Sequence, residues 1–170
     1  MNYFSMNSKT PFQKYIFDIV NRIYKQLGPG HNENIYHKAL MYELAVNNVK
    51  ADAEKHIYVT YTDTVGIKHT LVSERIDIYI HNDINSVFTD IQQAPVVIEL
   101  KAVSKTMGAI EEFQLYKYFR ELKKEGTIAN YGLLINFQQP TARFSIPDYT
   151  EFKIIQNEYK EILSLNVIKE

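Results

Sequence analysis

The first third of the chain carries its apolar side chains at helical spacing. Thr10 and Pro11 are typical of a helix start, because threonine caps unpaired N–H groups and proline fits the first turn. The apolar positions that follow recur every three or four residues, and they are Phe12, Tyr15, Ile16, Ile19, Val20, Ile23 and Leu27. Gly28-Pro29-Gly30 should end this helix. A second helix is predicted from about Asn32 to the Asn47-Asn48 pair.

The apolar period then changes from 3.6 to 2, which predicts strands. Alternation over residues 55–61 predicts one strand, and residues 67–72 are predicted to pair back on it as a hairpin. Residues 74–80 are predicted to form a third strand, with Asp77 on one face. The opposite face of that strand is predicted to carry Ile76, Ile78 and Ile80.

The remaining pattern predicts a central sheet flanked by helices, an α/β fold of the α+β, mixed-sheet type. A nearly continuous apolar run such as residues 96–103 is typical of a strand that is covered on both faces. The other predicted elements are a surface connection (81–95), a helix (108–124), a buried strand (131–137), short extended pieces near Phe144 and at 152–155, and a terminal helix or strand (159–167).

Composition limits the classes of function. A chain of 170 residues with 45% hydrophobic content fits one domain, 1–170, with a core of about 11–140 and a C-terminal extension of 141–170. The net charge of −1 argues against a global basic surface, so any phosphate-binding site must be local. The absence of cysteine excludes disulfides, Cys-ligated zinc and iron–sulfur clusters, so a metal must be bound by oxygen or imidazole. No apolar run approaches the roughly 18 residues of a membrane span, and we expect a soluble intracellular protein without a membrane partner.

Two charged residues interrupt the predicted central strand. Alternation places Glu99 and Lys101 on the same face, where unpaired charge would be costly. A structural salt bridge is one interpretation. A metal-binding site is the second interpretation, and Asp77 favours it. If the strand of Asp77 lies next to the strand of Glu99, two carboxylates and the ammonium group of Lys101 converge. Paired carboxylates bind Mg²⁺ or Mn²⁺, the carbonyl of Leu100 can add a ligand, and Lys101 can orient or deprotonate a water molecule or offset developing charge.

These residues resemble a known group of enzymes. Asp77 followed by Glu99-Leu100-Lys101 looks like the D…E-x-K signature of the PD-(D/E)XK nuclease superfamily, with Ile76 in place of the proline. Residues 30–36 read G-H-N-E-N-I-Y and match the motif of the GxxExxY protein family, which is placed in this superfamily. The flanking residues also resemble that family, so that the likeness covers residues 17–137. It implies a restriction-endonuclease-like core.

A further match lies on the predicted third helix. Gln114 and Tyr118 are four residues apart and form the Q-x-x-x-Y pattern of the RecB-type and lambda-exonuclease-like branch. By this resemblance Gln114 would contact metal-bound water or phosphate, and Tyr118 would help to hold the nucleic acid. The alternative is an exposed Gln beside a core Tyr. A basic ridge for phosphate is predicted on the same helix, although such a run also fits a solvated face, and its members are Lys117, Arg120, Lys123 and Lys124.

Glu33 lies at the start of the second helix. An acid there is favoured by the helix dipole alone, whereas the resemblance implies that it reaches the metal directly or through water. Tyr36 is expected to pack beneath it. The histidines are expected to be structural or solvent-facing: His31 and His37 do not share a helix face, and His56 is the most interesting of the others.

The resemblance therefore implies a Mg²⁺- or Mn²⁺-dependent deoxyribonuclease, with exonuclease action and a role in DNA repair or recombination as its finer form. The metal ligands would be Asp77, Glu99, Leu100 and Glu33, with Lys101 and Gln114 also catalytic. DNA is the expected partner, while RNA and a homodimer stay open. The alternative is a catalytically weak or inactive nuclease-fold module that binds nucleic acid or protein.

Overall fold

Three α-helices and five strands make up the part of the chain that the structure, a computed structural model, describes: residues 9–141, 147 and 149–157. In chain order they are α1 (Pro11–Leu27), α2 (Glu33–Val46), β1 (Ala51–Thr62), β2 (Lys68–Ile80), β3 (Val96–Lys101), α3 (Ala109–Lys124), β4 (Tyr131–Asn136) and β5 (Glu151–Gln156). A short 3₁₀ turn, Thr89–Ile91, precedes β3. None of the described helices is long and apolar enough to cross a membrane.

The strands form one mixed sheet in the order β1-β2-β3-β4-β5. β3 and β4 are parallel, and the other neighbours are antiparallel. Helices α1 and α2 pack on one face around Ile98, Leu100 and Phe137, and α3 packs on the other around Val97 and Leu134. The predicted mixed sheet between helices is confirmed, and it buries the central strands on both faces.

The first helix begins and ends where its local signals predict. Thr10 Oγ1 accepts a hydrogen bond from the N–H of Gln13, and the Gln13 side chain accepts one from the Thr10 N–H. Gly28 ends α1 with a φ of 70°, a value that glycine adopts at low cost.

The observed boundaries of β2 differ from the predicted ones. Residues 67–72 and 74–80 were predicted as two strands, but Lys68–Ile80 is one strand, which pairs with β1 over almost its whole length. Ile76 does not share a face with Ile78: it packs in the cluster around α3, whereas Ile78 and Ile80 pack against α1. The strand pairing is interrupted at Asp77, and this accounts for the change of face.

Two other stretches differ from their patterns. On α3 the apolar spacing predicts a buried stripe of which Leu115, Tyr118, Phe119 and Leu122 are buried, but Ile110 and Phe113 are exposed while Glu111 and Glu121 are buried. The predicted surface connection 81–95 contains an internal anchor, Asp90, which accepts hydrogen bonds from Thr10 Oγ1 (2.6 Å), the Phe12 N–H (3.0 Å) and the Tyr131 hydroxyl (2.8 Å). The predicted pieces near Phe144 and at 159–167 lie outside the described residues.

Candidate active site

Asp77 and Glu99 lie where β2 and β3 separate. The pairing of these strands covers Ile80↔Val96, Tyr79↔Val97 and Ile78↔Ile98. One more step in that register would place Asp77 opposite Glu99, but the ladder ends before it. Instead Asp77 Oδ2 accepts a hydrogen bond from the Leu100 N–H at 2.8 Å. The side chain of Asp77 thus takes up a main-chain donor of β3, and its carboxyl is held beside the Glu99 strand.

Strand β1, which pairs with β2 on its other side, is also distorted next to Asp77. The register of β1 and β2 is the same on both sides of Asp77, with the pairs Ala53↔Ile78 and Lys55↔Ile76. This register would place Glu54 opposite Asp77, but the described strands do not pair at that position. Glu54 has a φ of 54°, a left-handed value that costs a residue with a side chain roughly 1–2 kcal/mol. Such strain persists where the surroundings impose it, and it is common near functional sites.

Glu99 is buried beside a single cation. The residue is 3% exposed, and its Oε1 accepts a hydrogen bond from Lys101 Nζ at 3.0 Å. Glu99 Oε2 is buried and receives no hydrogen bond from a donor among the described residues, although the Glu99 and Asp77 side chains can share a hydrogen bond when one of the two carboxyl groups is protonated. A buried carboxylate oxygen without a donor is costly, so this atom is available for a ligand.

The pKa values of Asp77, Glu99 and Lys101 are shifted by burial and by the charges of one another. Burial, followed by the negative charge of Asp77, raises the pKa of Glu99 to about 8, although Lys101 acts against the rise. Burial also raises the pKa of Asp77, and the Leu100 hydrogen bond and Lys101 offset this only in part. For Lys101, burial would lower the pKa, but Glu99 and the other acids outweigh it and the pKa is raised. Lys101 therefore keeps its proton at neutral pH, while the two carboxyl groups together carry less than two full negative charges.

Glu33 brings a third carboxyl group from the first turn of α2. Its pKa is raised by desolvation and then by the charge of Asp77, and Lys101 opposes the rise. Glu33 is thus an electrostatic neighbour of both residues, although it lies at the surface. The three predicted acids and Lys101 are brought to one end of the sheet.

The outer residues of the G-x-x-E-x-x-Y segment hold the turn that carries Glu33. Gly30 has a φ of 99°, and its N–H donates to Gln139 Oε1 at 2.6 Å. Tyr36 is buried, donates from its hydroxyl to the Gly28 carbonyl at 2.7 Å, and stacks on Phe137 with 4.4 Å between ring centroids. Gln139 has no motif of its own in the sequence. It reaches this turn from beyond the end of β4.

His37 is a site residue that the sequence patterns did not single out. It lies one turn after Glu33 on α2, it is an electrostatic neighbour that lowers the pKa of Asp77, and its buried Nε2 has no hydrogen-bond partner among the described residues. A signal exists in the sequence, since Glu33 and His37 are four residues apart and share a helix face. His37 does not share a helix face with His31, so the signal lies in its spacing from Glu33 and not in the spacing of the two histidines. His56, in contrast, contacts Ser73 on the β1–β2 hairpin.

Gln114 and Tyr118 do share a face of α3. Gln114 Nε2 donates to the Tyr118 hydroxyl at 2.8 Å, and that hydroxyl donates to the Arg75 carbonyl at 3.0 Å. Tyr118 is 1% exposed, and its pKa is raised by burial and then by the charge of Glu99. The pair therefore connects α3 to β2 two residues before Asp77. Direct contact of Tyr118 or Gln114 with nucleic acid stays a prediction.

The predicted basic ridge on α3 is partly neutralised. Lys117 forms an ion pair with Glu74, and Lys124 donates both to Glu121 and to the Thr60 carbonyl, each at 3.0 Å. Arg120 and Lys123 are exposed. Phosphate binding along this helix stays a prediction, with Arg120 and Lys123 as its most accessible positions.

The donor set suits a hard divalent cation with few protein ligands. Within the described residues, no group of three or more His, Asp or Glu side chains is close enough to hold a metal ion. Magnesium, however, is commonly held by one or two carboxylates, with water and substrate phosphate completing its coordination. Asp77 and Glu99 supply such a pair, Glu99 Oε2 receives no hydrogen bond from a donor among the described residues, and Lys101 alone does not balance the nearby acids.

Comparisons with known proteins identify one family. A family model described as PD-(D/E)XK nuclease superfamily matches residues 10–147. No curated protein sequence is significantly similar to this chain. A solved structure described as "Crystal structure of SSO0001" is similar over 78% of this chain and 55% of that chain, with 20% sequence identity and a TM-score of 0.47. This chain thus spans about half of that one, and the likeness is too distant to support any conclusion.

Proposed function

Because this chain belongs to the PD-(D/E)XK nuclease superfamily, we propose that it hydrolyses DNA phosphodiester bonds with a bound Mg²⁺ or Mn²⁺ ion. The observation that carries this proposal is the meeting of Asp77, Glu99 and Lys101 where β2 and β3 separate. The fold is the mixed sheet and helices of a restriction-endonuclease-like core.

Asp77 and Glu99 would hold the cation, with the carbonyl of Leu100 as an added ligand. Glu33 would act through a water molecule rather than as a third direct ligand, since it is an electrostatic neighbour of Asp77 but no three acids of the described residues are close enough to hold one ion. A divalent ion supplies charge stabilisation at a phosphoryl oxygen and lowers the pKa of bound water. Binding also favours the ionised form of the carboxyl groups, which offsets the cost of their burial.

Lys101 acts as a cation and hydrogen-bond donor rather than as a base. Its raised pKa means that it carries a proton at neutral pH, and Nζ already donates to Glu99 Oε1 at 3.0 Å. A protonated amine at this position can orient the attacking water and stabilise the charge that develops on the phosphoryl group.

The finer form of the proposal is membership of the GxxExxY family and an exonuclease of the RecB or lambda-exonuclease type. Two features support it. Gly30 and Tyr36 form hydrogen bonds around the turn that precedes Glu33, and Gln114 hydrogen-bonds to Tyr118 on one face of α3.

The test is cleavage of end-labelled single-stranded and duplex DNA by the 170-residue chain with Mg²⁺, with Mn²⁺ and with EDTA. Wild type should cleave only with metal, and Asp77→Ala should not cleave. Asp18→Asn is the matched control, because Asp18 is an exposed acid that pairs with Lys14 on α1, and it should cleave as wild type does. Equal cleavage by wild type and Asp77→Ala, or none by wild type with either ion, would refute the proposal.

The second candidate is a nuclease-fold module without catalysis, which binds nucleic acid or protein. The Lys101–Glu99 ion pair favours it, since the pair already compensates one buried carboxylate without a metal. Calorimetric titration with Mn²⁺ separates the two candidates. Binding that is lost in Glu99→Gln supports the nuclease, and no binding by wild type supports the module.

A further inference from the structure

A groove between α2 and β1 adjoins the candidate active site. Its volume is about 690 Å³, within the range of ordinary small-molecule sites. The residues that matter for its chemistry are His37, Lys38, Met41 and Tyr42 from α2, and Ala53 and Glu54 from β1.

Two of these residues lie next to Asp77 of the candidate active site. His37 is an electrostatic neighbour of Asp77, and Glu54 occupies the β1 position that would face Asp77 in the strand register. The groove therefore neighbours Asp77, which does not itself line it, and extends along α2. We expect a strand whose phosphate lies at Asp77 and Glu99 to reach it.

The wall of the groove offers a flat aromatic surface. Tyr42 is 75% exposed on α2, whereas Met41 beside it packs against the core formed with α1. The helix is anchored while the ring of Tyr42 stays accessible, and a nucleobase stacks on an accessible aromatic ring.

The charges of the groove suit a phosphate. Lys38 is exposed next to His37, and the carboxylate of Glu54 is paired with Arg75 at 3.4 Å. Arg75 does not line the groove, so Lys38 and Glu54 are its ionised lining residues, and because Glu54 is already paired, Lys38 is the cation that a phosphate would meet.

We propose that this groove binds a nucleotide of single-stranded DNA next to the scissile phosphate, with its base stacked on Tyr42 and a phosphate beside Lys38. The inference rests on the proposed nuclease function and adds a strand preference to it. In the interior of a duplex both faces of a base are covered by its neighbours, so a base of single-stranded DNA is the one that can stack on Tyr42.

The test measures binding of fluorescent single-stranded and duplex DNA oligonucleotides by anisotropy, with wild type and Tyr42 variants of the whole chain in EDTA. Tyr42→Ala should weaken binding of the single strand about tenfold, and Tyr42→Phe should retain wild-type affinity, because stacking needs the ring and not the hydroxyl. Tyr61→Ala is the matched control, since Tyr61 is 54% exposed on β1 and does not line the groove. It should bind as wild type does, and duplex affinity should be the same for all four proteins.

Equal affinity of wild type and Tyr42→Ala for the single strand would overturn the inference, as would an equal or larger loss for the duplex. A weakening by Tyr61→Ala as large as that by Tyr42→Ala would also overturn it. Cleavage assays separate this inference from the proposed function. If wild type and Tyr42→Ala cleave single-stranded DNA with the same KM, only the groove assignment fails. If Tyr42→Ala weakens binding but wild type cleaves no DNA, the nuclease proposal fails and the binding site stands.

Discussion

Asp77 Oδ2 accepts a hydrogen bond from the Leu100 main-chain N–H at 2.8 Å, at a position where the described β2 ladder pairs with neither β1 nor β3. A carboxylate thus replaces a strand-to-strand bond. Its position relative to Glu99 is set by the backbone of β3, because Leu100 immediately follows Glu99. The geometry of the two acids therefore depends on one short side chain and not on a flexible loop.

Asp77→Asn should preserve this geometry and remove the charge. The amide oxygen can still accept from Leu100, so the fold should be retained, whereas Mn²⁺ affinity should fall by more than about tenfold, since even changes outside the ligands commonly cost 10–100-fold. The pKa of Glu99 should also fall, because the charge of Asp77 is one of the causes that raise it. Calorimetry and a ¹³C NMR titration of the Glu99 carboxyl group measure the two effects. Wild-type Mn²⁺ affinity in the variant would contradict a ligand role for Asp77.

Stability of the metal-free protein should decrease as pH rises from about 4.5 to about 8. Glu99 has an ordinary pKa of 4.5 in the unfolded chain and about 8 in the folded one, so between these values the folded state binds more protons. The free energy of unfolding then falls with pH, by at most ~1.4 kcal/mol per pH unit for one group. Glu33 and Asp77 act in the same direction, because their pKa values are also raised.

Glu99→Gln isolates the part of this effect that belongs to Glu99. Urea unfolding in EDTA should show a shallower decrease for the variant than for wild type across the same pH range. Saturating Mn²⁺ should flatten the wild-type profile, since the ion binds the ionised carboxylates. Parallel profiles of the two proteins in EDTA would show that Glu99 is ionised in both states.

Gly30→Ala should weaken metal binding as well as stability. Its φ of 99° is unfavourable for alanine, and the shift needed to relieve the strain would disturb the N–H that donates to Gln139 and hence the turn before Glu33. Gly66→Ala is the control, because Gly66 has a φ of 90° in the β1–β2 turn, away from the acids. Both variants should lose about 1–2 kcal/mol of unfolding free energy. Only Gly30→Ala should lower Mn²⁺ affinity, and an equal decrease in both would contradict the positioning role.

Tyr118→Phe should lower stability by about 1–2 kcal/mol, because the Arg75 carbonyl and the Gln114 amide both lose their partner. Urea unfolding measures this loss. DNA affinity in EDTA distinguishes a structural tyrosine from a substrate contact. Since the residue is 1% exposed, we expect wild-type affinity, and a large decrease in binding without a loss of stability would favour the substrate contact.

The elements that were predicted correctly depend on short stretches of sequence. Thr10, Pro11 and Gly28 define α1 through caps that involve neighbours within a few residues. The E-x-K spacing places Glu99 and Lys101 on one face of a strand by alternation alone. Asp77 needed one further assumption, that its strand neighbours β3, which the observed sheet order satisfies.

The features that were missed depend on contacts between distant residues. Asp90 is held by Thr10, 80 residues away, and Gln139 reaches Gly30 across 109 residues. The left-handed Glu54 has no local signal, since a glutamate is not favoured there, and it arises where the β1–β2 pairing is interrupted at Asp77. The spacing of apolar residues along the sequence does not indicate contacts between residues so far apart.

Glu54 also affects how the sheet meets other chains. Within the described part of the chain β1 is an edge strand of 12 residues, and an edge strand of this length is a template for pairing with another molecule. The left-handed residue interrupts that edge at position 54, and a second irregularity of the β1–β2 pairing, between Val59 and Thr60, lies in the longer piece that follows. An added strand cannot continue one straight ladder past this break, so the backbone distortion that accompanies Asp77 also shortens the surface along which copies of the protein can aggregate.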